Sequence, residues 1–290
     1  MQKVIEKAAV LIEALPYIQR FRNETIVVKF GGSIMDQEQG VRSILNDVAF
    51  MACVGLRPVI VHGGGKLITQ RMKEAGLKAV FLKGLRVTDE QAIQIVERVL
   101  NQEINPHMVG LLESFGCRAR GLHGDDILRV ERHAENDPAG GAALDWGFVG
   151  DVVGVDTAPI RAYLDAGITP LLTPLGRGPE RKVYNVNADD VASAVARSLQ
   201  ARKLVFLSDV PGLLHDPNDP ASIISSLKVD EVEALIRRGV ISGGMLPKIG
   251  GAVNAVKAGV AKSHIIDSAM PHSLLLELFT EEGVGTEIVG

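Results

Sequence analysis

The chain has 290 residues, enough for one large domain or two closely joined lobes around an ample core. With 46% hydrophobic and 23% charged residues, 4% aromatics and a net charge of −4, it has the balance of a soluble globular protein, and it lacks the basic tracks and stacking platforms of a nucleic-acid binder. No apolar run approaches the roughly 18 residues of a membrane span, and Cys53 and Cys117, with no CxxC or His cluster nearby, read as reduced core thiols of a cytoplasmic protein.

Residues 1–18 set Val4, Ala8, Leu11, Leu15 and Ile18 on one helical face, interrupted near Pro16. This segment carries Glu6 and Glu13 and reads as amphipathic, not as a signal peptide. It can pack on its own domain or on a partner subunit. Ile26, Val27 and Val28 then form a β-branched run suited to a strand buried on both faces, followed by Lys29 and the pair Gly31-Gly32. Val41, Ile44, Leu45, Val48, Ala49 and Ala52 stripe a helix that Gly55 and Pro58 end. Pro58 to His62 is a second buried strand, and Gly63-Gly64-Gly65 opens a helix bearing Leu67, Ile68 and Met72. Strand, helix, strand, glycine turn, helix is the grammar of a parallel α/β sheet.

Thr88 and Gln91 fit a capping box for a helix burying Ala92, Ile95, Val96 and Val99. A further helix over 106–115 and a short strand over 118–122 follow. Residues 131–147, polar and Gly-rich, read as hairpins or loops at the edge of the sheet. After a strand at 168–172, the loop 176–180 is the expected lobe boundary. Beyond it lie a helix with Val191, Val195 and Leu199, a strand at 204–207, a helix near 229–238 and a long Ala/Val-rich helix after Gly243-Gly244. A strand at 264–266, a helix over 273–279 and a strand over 286–289 close the chain.

Three glycine turns, at 31–32, 63–65 and 243–244, adjoin strand ends or helix starts, with Lys29 and Lys248 close by. Ligands of open α/β sheets collect at the carboxyl ends of strands, and bare N–H groups there favour phosphates and carboxylates. Two familiar phosphate motifs are excluded. GxxxxGK[ST] fails because Leu67 follows Lys66 and Ile60 stands for the first Gly, and GxGxxG fails because Ile68 takes the place of the third Gly.

Taken together, these residues resemble the amino-acid-kinase family over nearly the whole chain, most closely its acetylglutamate branch. The marks are Val28-Lys29-Phe30-Gly31-Gly32, Val61-His62-Gly63-Gly64-Gly65, Gly84-Leu85-Arg86-Val87-Thr88-Asp89, Asn185-Val186-Asn187-Ala188-Asp189, Leu207-Ser208-Asp209-Val210-Pro211-Gly212 and Gly243-Gly244-Met245-Leu246-Pro247-Lys248. Gly84 to Asp89 and Asn185 to Asp189 are the more specific to the branch, whereas carbamate kinases, uridylate kinases and aspartokinases share mainly the glycine turns and the first lysine. Lys66 and Lys83 depart from the pattern, where a small residue such as Pro and an Asn are usual.

The resemblance implies an α/β three-layer sandwich with a mainly parallel central sheet of about eight strands and two lobes. Residues 1–20 would be an oligomerisation helix, 21–180 an N-lobe for the acyl amino acid, and 181–290 a C-lobe for ATP. The implied reaction, in arginine biosynthesis, moves a phosphoryl group from ATP with Mg²⁺ to the γ-carboxylate of N-acetyl-L-glutamate. With a pKa of about 4 that acceptor is already ionised, so no general base is required. Catalysis would rest on positioning and charge neutralisation.

By the same resemblance, Lys29 and Lys248 stabilise the transferring group and Asp189 holds both ammonium ions. Gly64, Gly65, Arg86 and Asn185 surround acetylglutamate, with Arg86 gripping the α-carboxylate in a bidentate fork. Gly31, Gly32, Ser208, Asp209, Gly212 and Gly244 fall on the ATP side, and Mg²⁺ is left mainly to ATP oxygens and water. His62 reads as a structural residue. An extra helix before the first strand resembles that of arginine-inhibited hexamers, trimers of dimers that interlace through these helices. For L-arginine the expected residues are Glu277 and Lys203, walled by Tyr17, His272 and Gly285. Alternatives are another kinase of the family, with a carbamate or uridylate acceptor, or a non-catalytic arginine sensor on the same scaffold.

Overall fold

The computed structural model describes residue 9 and residues 12–134, 144–216, 218–219, 222–280 and 283–290. Fourteen strands lie in this range: β1 (Thr25–Phe30), β2 (Arg57–His62), β3 (Val80–Leu82), β4 (Leu85–Val87), β5 (Ala119–Leu122), β6 (Leu128–Arg132), β7 (Gly150–Val155), β8 (Thr169–Leu172), β9 (Leu175–Arg177), β10 (Val183–Asn185), β11 (Lys203–Ser208), β12 (Ser226–Lys228), β13 (Lys262–Asp267) and β14 (Thr286–Val289).

The β-branched runs become the middle of the molecule because both of their faces need covering. Eight strands form the central sheet in the order β12-β14-β13-β11-β1-β2-β8-β5, and of its pairs only β13 with β14 is antiparallel. Successive residues of β1 point to opposite sides. Ile26, Val28 and Phe30 join the core beneath the helices Glu38–Cys53, Asn105–Ser114 and Ser273–Phe279. Val27 joins the other core, with Ala188–Leu199 and Met245–Lys257. The result is the expected three-layer α/β sandwich. Lys29, two residues after Val27, therefore faces the layer that contains Asp189.

The sheet is continuous across the loop at 176–180, since β1 pairs with β2 on one side and β11 on the other. Gly176 and Arg177 of that stretch belong to β9, and the rest of it leads towards β10. Of residues 131–147, expected as hairpins or loops at the edge of the main sheet, Glu131 and Arg132 end β6, which pairs antiparallel with β7 in a separate four-stranded sheet of order β10-β9-β6-β7, and 135–143 lie outside the described residues. Short alternating runs such as Leu128-Arg129-Val130 carried too little periodicity to separate strand from loop.

A second correction concerns the helix Glu90–Arg98. Asp89, not Thr88, caps it, accepting from the Gln91 and Ala92 amides at 3.1 and 2.8 Å. Thr88 is buried, and its hydroxyl donates to Arg86 O. This helix runs through a π-helical turn, Val99–Ile104, into Asn105–Ser114. At the amino end the described helix is Leu15–Phe21, with Pro16 in its first turn. Val4, Ala8 and Leu11 lie outside the described residues. No described helix is long and apolar enough to cross a membrane.

Candidate active site

Lys29 sits one residue from the end of β1, under the first turn of the helix Ala188–Leu199. Asn187 caps that helix, its side chain accepting from the Asp189 amide at 2.8 Å. Asp189 is thereby aimed back over the sheet edge. Its Oδ1 lies 2.6 Å from Lys29 Nζ, and its Oδ2 takes a 2.9 Å hydrogen bond from Lys248 Nζ. Lys248 comes from the first turn of the helix Met245–Lys257. Two ammonium groups 219 residues apart in sequence thus converge on one buried carboxylate. Burial opposes the Asp189 charge, but Lys29 and Lys248 together hold its carboxyl below the usual range. Burial likewise lowers the Lys29 pKa, Asp189 opposing the shift and Lys248 adding to it.

The glycine turns meet back to back beside this cluster. Gly63 N–H donates to Phe30 O at 2.8 Å, and a Cβ on Gly63 would stand 3.2 Å from Gly31 Cα. A side chain at either position would press the facing turn outward, which favours glycine at both.

A cleft of about 230 Å³ opens here, lined by Lys29, Gly64, Gly65, Arg86, Asn185 and Asp189 among others. Arg86, on β4, is 6% exposed. Its Nη2 donates to Gly65 O at 2.7 Å and Thr69 Oγ1 at 2.8 Å, and its guanidinium lies 4.7 Å from the Phe81 ring centroid. Burial lowers its pKa, and among the described residues no carboxylate pairs with it. Among the described residues lining the cleft, two cations, Lys29 and Arg86, face one acid, Asp189, which Lys248 also reaches. The turn above them, Lys83-Gly84 between β3 and β4, has both φ values positive (47° and 84°), as a two-residue hairpin of this hand requires.

The residues expected on the ATP side fall along the same strand edge, on the far side of β1. Ser208 ends β11 and Asp209 follows it, β11 neighbouring β1 in register Lys29↔Phe206, and Gly244 precedes the Lys248 helix. Gly32 is left-handed at φ +69°. Gly212 packs against Thr286, where a Cβ would stand 2.7 Å from Oγ1.

A second cavity, about 500 Å³, lies at the opposite edge of the sheet under the N-terminal helix. Tyr17, Lys203, Glu277 and Gly285 line it together. Lys203 Nζ stands 5.2 Å from the Phe21 ring centroid, and burial pushes its pKa down to about 8. His272 lies apart from it, paired with buried Asp47 at 2.6 Å.

Residues 24–267 match the Amino acid kinase family. The chain belongs to the amino acid kinase family. Within that family it is similar to the acetylglutamate kinase of Heliobacterium modesticaldum, 45% identical across 100% of both chains. Among solved structures it is similar to the N-acetylglutamate synthase of Neisseria gonorrhoeae complexed with coenzyme A and N-acetyl-glutamate. That likeness has a TM-score of 0.85 and 28% identity, and covers 98% of this chain and 63% of the synthase. The same synthase complexed with coenzyme A and L-arginine gives 0.80 at 28% identity, covering 97% and 65%.

Sequence reasoning missed several groups that this family member places at or behind its sites. Thr69 and Met72 hold Arg86, with Met72 Sδ 3.4 Å from Nη1, one and two turns into a helix read only for its apolar face. His264, buried on β13, stands 2.7 Å from Glu277 Oε1. A lone histidine in a core strand gave no signal for that partnership.

Proposed function

We infer that this chain is an acetylglutamate kinase: it transfers the γ-phosphoryl group of ATP to the γ-carboxylate of N-acetyl-L-glutamate, in arginine biosynthesis. The observation that carries the reading is Arg86, a buried cation with no carboxylate partner among the described residues, lining the same cleft as Lys29 and Asp189, the latter also bound by Lys248. A net positive cleft at the carboxyl ends of parallel strands suits two anionic substrates. The full-length similarity to acetylglutamate kinases selects the acceptor.

The chemistry follows from charge. The acceptor carboxylate arrives ionised, and its approach to a polyanionic nucleotide is the obstacle. Lys29 and Lys248 neutralise the equatorial oxygens as charge shifts onto them, in a buried setting where such contacts are stronger than in water. Asp189 holds both lysines in place and takes no proton. Arg86, its guanidinium orientation set by Gly65 O and Thr69, grips the α-carboxylate, and Asn185 bonds the acetamido group. Mg²⁺ enters as part of the nucleotide substrate. Asp189 is already committed to two lysines, which supports leaving the ion mostly to phosphate oxygens and water.

In this reading residues 21–180 form the lobe for the acyl amino acid and 181–290 the lobe for ATP, with Gly31, Gly32, Ser208, Asp209, Gly212 and Gly244 on the nucleotide. The cavity under the N-terminal helix takes L-arginine as a feedback inhibitor, Glu277 meeting the guanidinium and Lys203 the α-carboxylate. Residues 1–20 join subunits into dimers or trimers of dimers.

The deciding experiment is a coupled ADP-release assay over a panel of acceptors. Turnover with N-acetyl-L-glutamate and not with carbamate or UMP supports the assignment, and the reverse pattern removes it. Repeating the assay with L-arginine, with and without residues 1–20, tests the regulatory part. Uninhibited turnover of the full-length chain defeats it.

A further inference from the structure

Behind the Gly63 turn lies a buried polar relay that the phosphoryl-transfer chemistry does not itself use. His62, the last residue of β2, is fully buried. Its Nε2 is 3.0 Å from Asn105 Nδ2, and its Nδ1 is 2.9 Å from Gly63 O. The same Asn105 nitrogen donates to Leu171 O at 2.9 Å, which identifies it as the amide NH₂ and not the oxygen. Imidazole Nε2 must then accept, the ring proton sits on Nδ1, and Nδ1–H donates to Gly63 O.

Both polar groups of Gly63 are thereby committed, its N–H to Phe30 O and its C=O to His62. In a trans peptide the carbonyl and the next N–H point opposite ways. A Gly63 carbonyl turned onto the ring therefore turns Gly64 N–H away from it, towards the cleft. Gly64 is pinned from the other side as well. A Cβ there would stand 2.7 Å from Ile104 Cδ1 and 2.8 Å from Leu100 Cδ2. Both side chains come from the π-helical turn Val99–Ile104, and Asn105 follows that turn directly. Its extra residue sets the phase at which Leu100 and Ile104 meet Gly64 while Asn105 meets His62.

We propose that Asn105, acting through the Nδ1–H tautomer of His62, is a positioning residue for phosphoryl transfer: it fixes the direction of the Gly64 N–H that binds substrate oxygen. This rests on the kinase reading above. No charged group sets the state of His62. Burial keeps it neutral, with its pKa lowered to about 4. Asp125, which Asn101 reaches at 3.5 Å, is committed to Arg177 at 2.6 Å, and Lys29 is committed to Asp189.

The test exchanges the donor for an acceptor. In Asn105→Asp the carboxylate draws the ring proton to Nε2. When the ring is doubly protonated, Nδ1–H still reaches Gly63 O. Once neutral, it presents a bare Nδ1 to that carbonyl. The variant's kcat, divided by that of the unaltered enzyme, is expected to fall by about 10–10²-fold as pH rises between about 6 and 9. His62→Gln supplies a donor and an acceptor at similar places and is expected to keep kcat within a few-fold. A ratio flat in pH overturns the proposal, as does His62→Gln being as impaired as His62→Ala.

Should Asn105→Asp fail to fold, ¹⁵N shifts of His62 in the unaltered, histidine-labelled enzyme, assigned by loss of the signal in His62→Gln, decide alone. The Nδ1–H tautomer supports the relay and the Nε2–H tautomer overturns it. An unaltered enzyme that releases no ADP with N-acetyl-L-glutamate sinks the kinase reading instead, and the tautomer measurement is independent of that result.

Discussion

Asp189 and Glu277 are both mostly buried carboxylates with cations around them, at opposite ends of the same parallel strands. Asp189 stands at the carboxyl ends, held by two lysines and a helix start. Glu277 faces a cavity beside Lys203, the first residue of β11, accepts from the Val284 amide at 3.0 Å and lies 2.7 Å from His264 Nδ1. Each carboxyl is held below its ordinary range against the cost of burial. The difference lies in what can let go. Lys29 and Lys248 reach Asp189 on flexible side chains that can turn to a phosphoryl oxygen, whereas a backbone amide holds Glu277 in place against the buried His264 of β13. The first arrangement suits charge that migrates during a reaction, the second a fixed ligand charge.

The largest test of that contrast is at the carboxyl end. Lys29→Ala and Lys248→Ala are each expected to lower kcat by about 10²–10³-fold at saturating substrates, the usual cost of removing one preorganised donor. Near-normal turnover in Lys248→Ala would take it out of the mechanism and erase the contrast. At the amino end, Glu277→Gln is expected to raise the L-arginine concentration for half-inhibition by about 10–10²-fold, the worth of a charge-assisted bond, while the enzyme still turns over. A variant that stayed fully arginine-sensitive would show that the cavity is not the inhibitor site. Smaller again is Arg86→Lys, which keeps the charge but not the fork. KM for acetylglutamate is expected to rise about tenfold with kcat changed less. A fall confined to kcat would place Arg86 on the reacting group instead.

The parts of this molecule legible in its sequence were those where one local rule sufficed. Ile26-Val27-Val28 announced a central strand because only a doubly covered strand tolerates such a run, and the helix Ser273–Phe279 matched to the residue. The pairing of Lys29 with Lys248 was not legible from spacing, since the sheet register brings them together. It came through resemblance. Periodicity failed at the four-stranded sheet, where strands are short and partly exposed. Resemblance in turn failed for His272, whose expected place among the arginine residues gave way to a hydrogen bond with Asp47, 225 positions away. Arg86 was found, but its exchange of a surface for a buried, acid-free setting depends on Phe81, Gly65 and Thr69 closing around it.

The finest test uses pH, because the cavity's cation titrates in a measurable range. Burial is the main cause of the Lys203 shift, and Glu277 only partly offsets it, so its pKa falls to about 8; Lys262, Glu287 and Arg20 are the other charged neighbours. A lysine with a lowered pKa carries its charge below that value and loses it above. Near pH 7 the ammonium is nearly fully formed, and near pH 8 about half of it is gone, so the L-arginine concentration for half-inhibition should rise about twofold over that interval and more steeply beyond it. Lys203→Arg keeps its charge at every pH used and should flatten the curve. Turnover measured in parallel without L-arginine isolates the effect from Lys29, whose own lowered pKa acts on catalysis. If inhibition by L-arginine keeps one strength across the range, or if Lys203→Arg follows the same slope, then the anion of the inhibitor rests on another cation of the cavity wall.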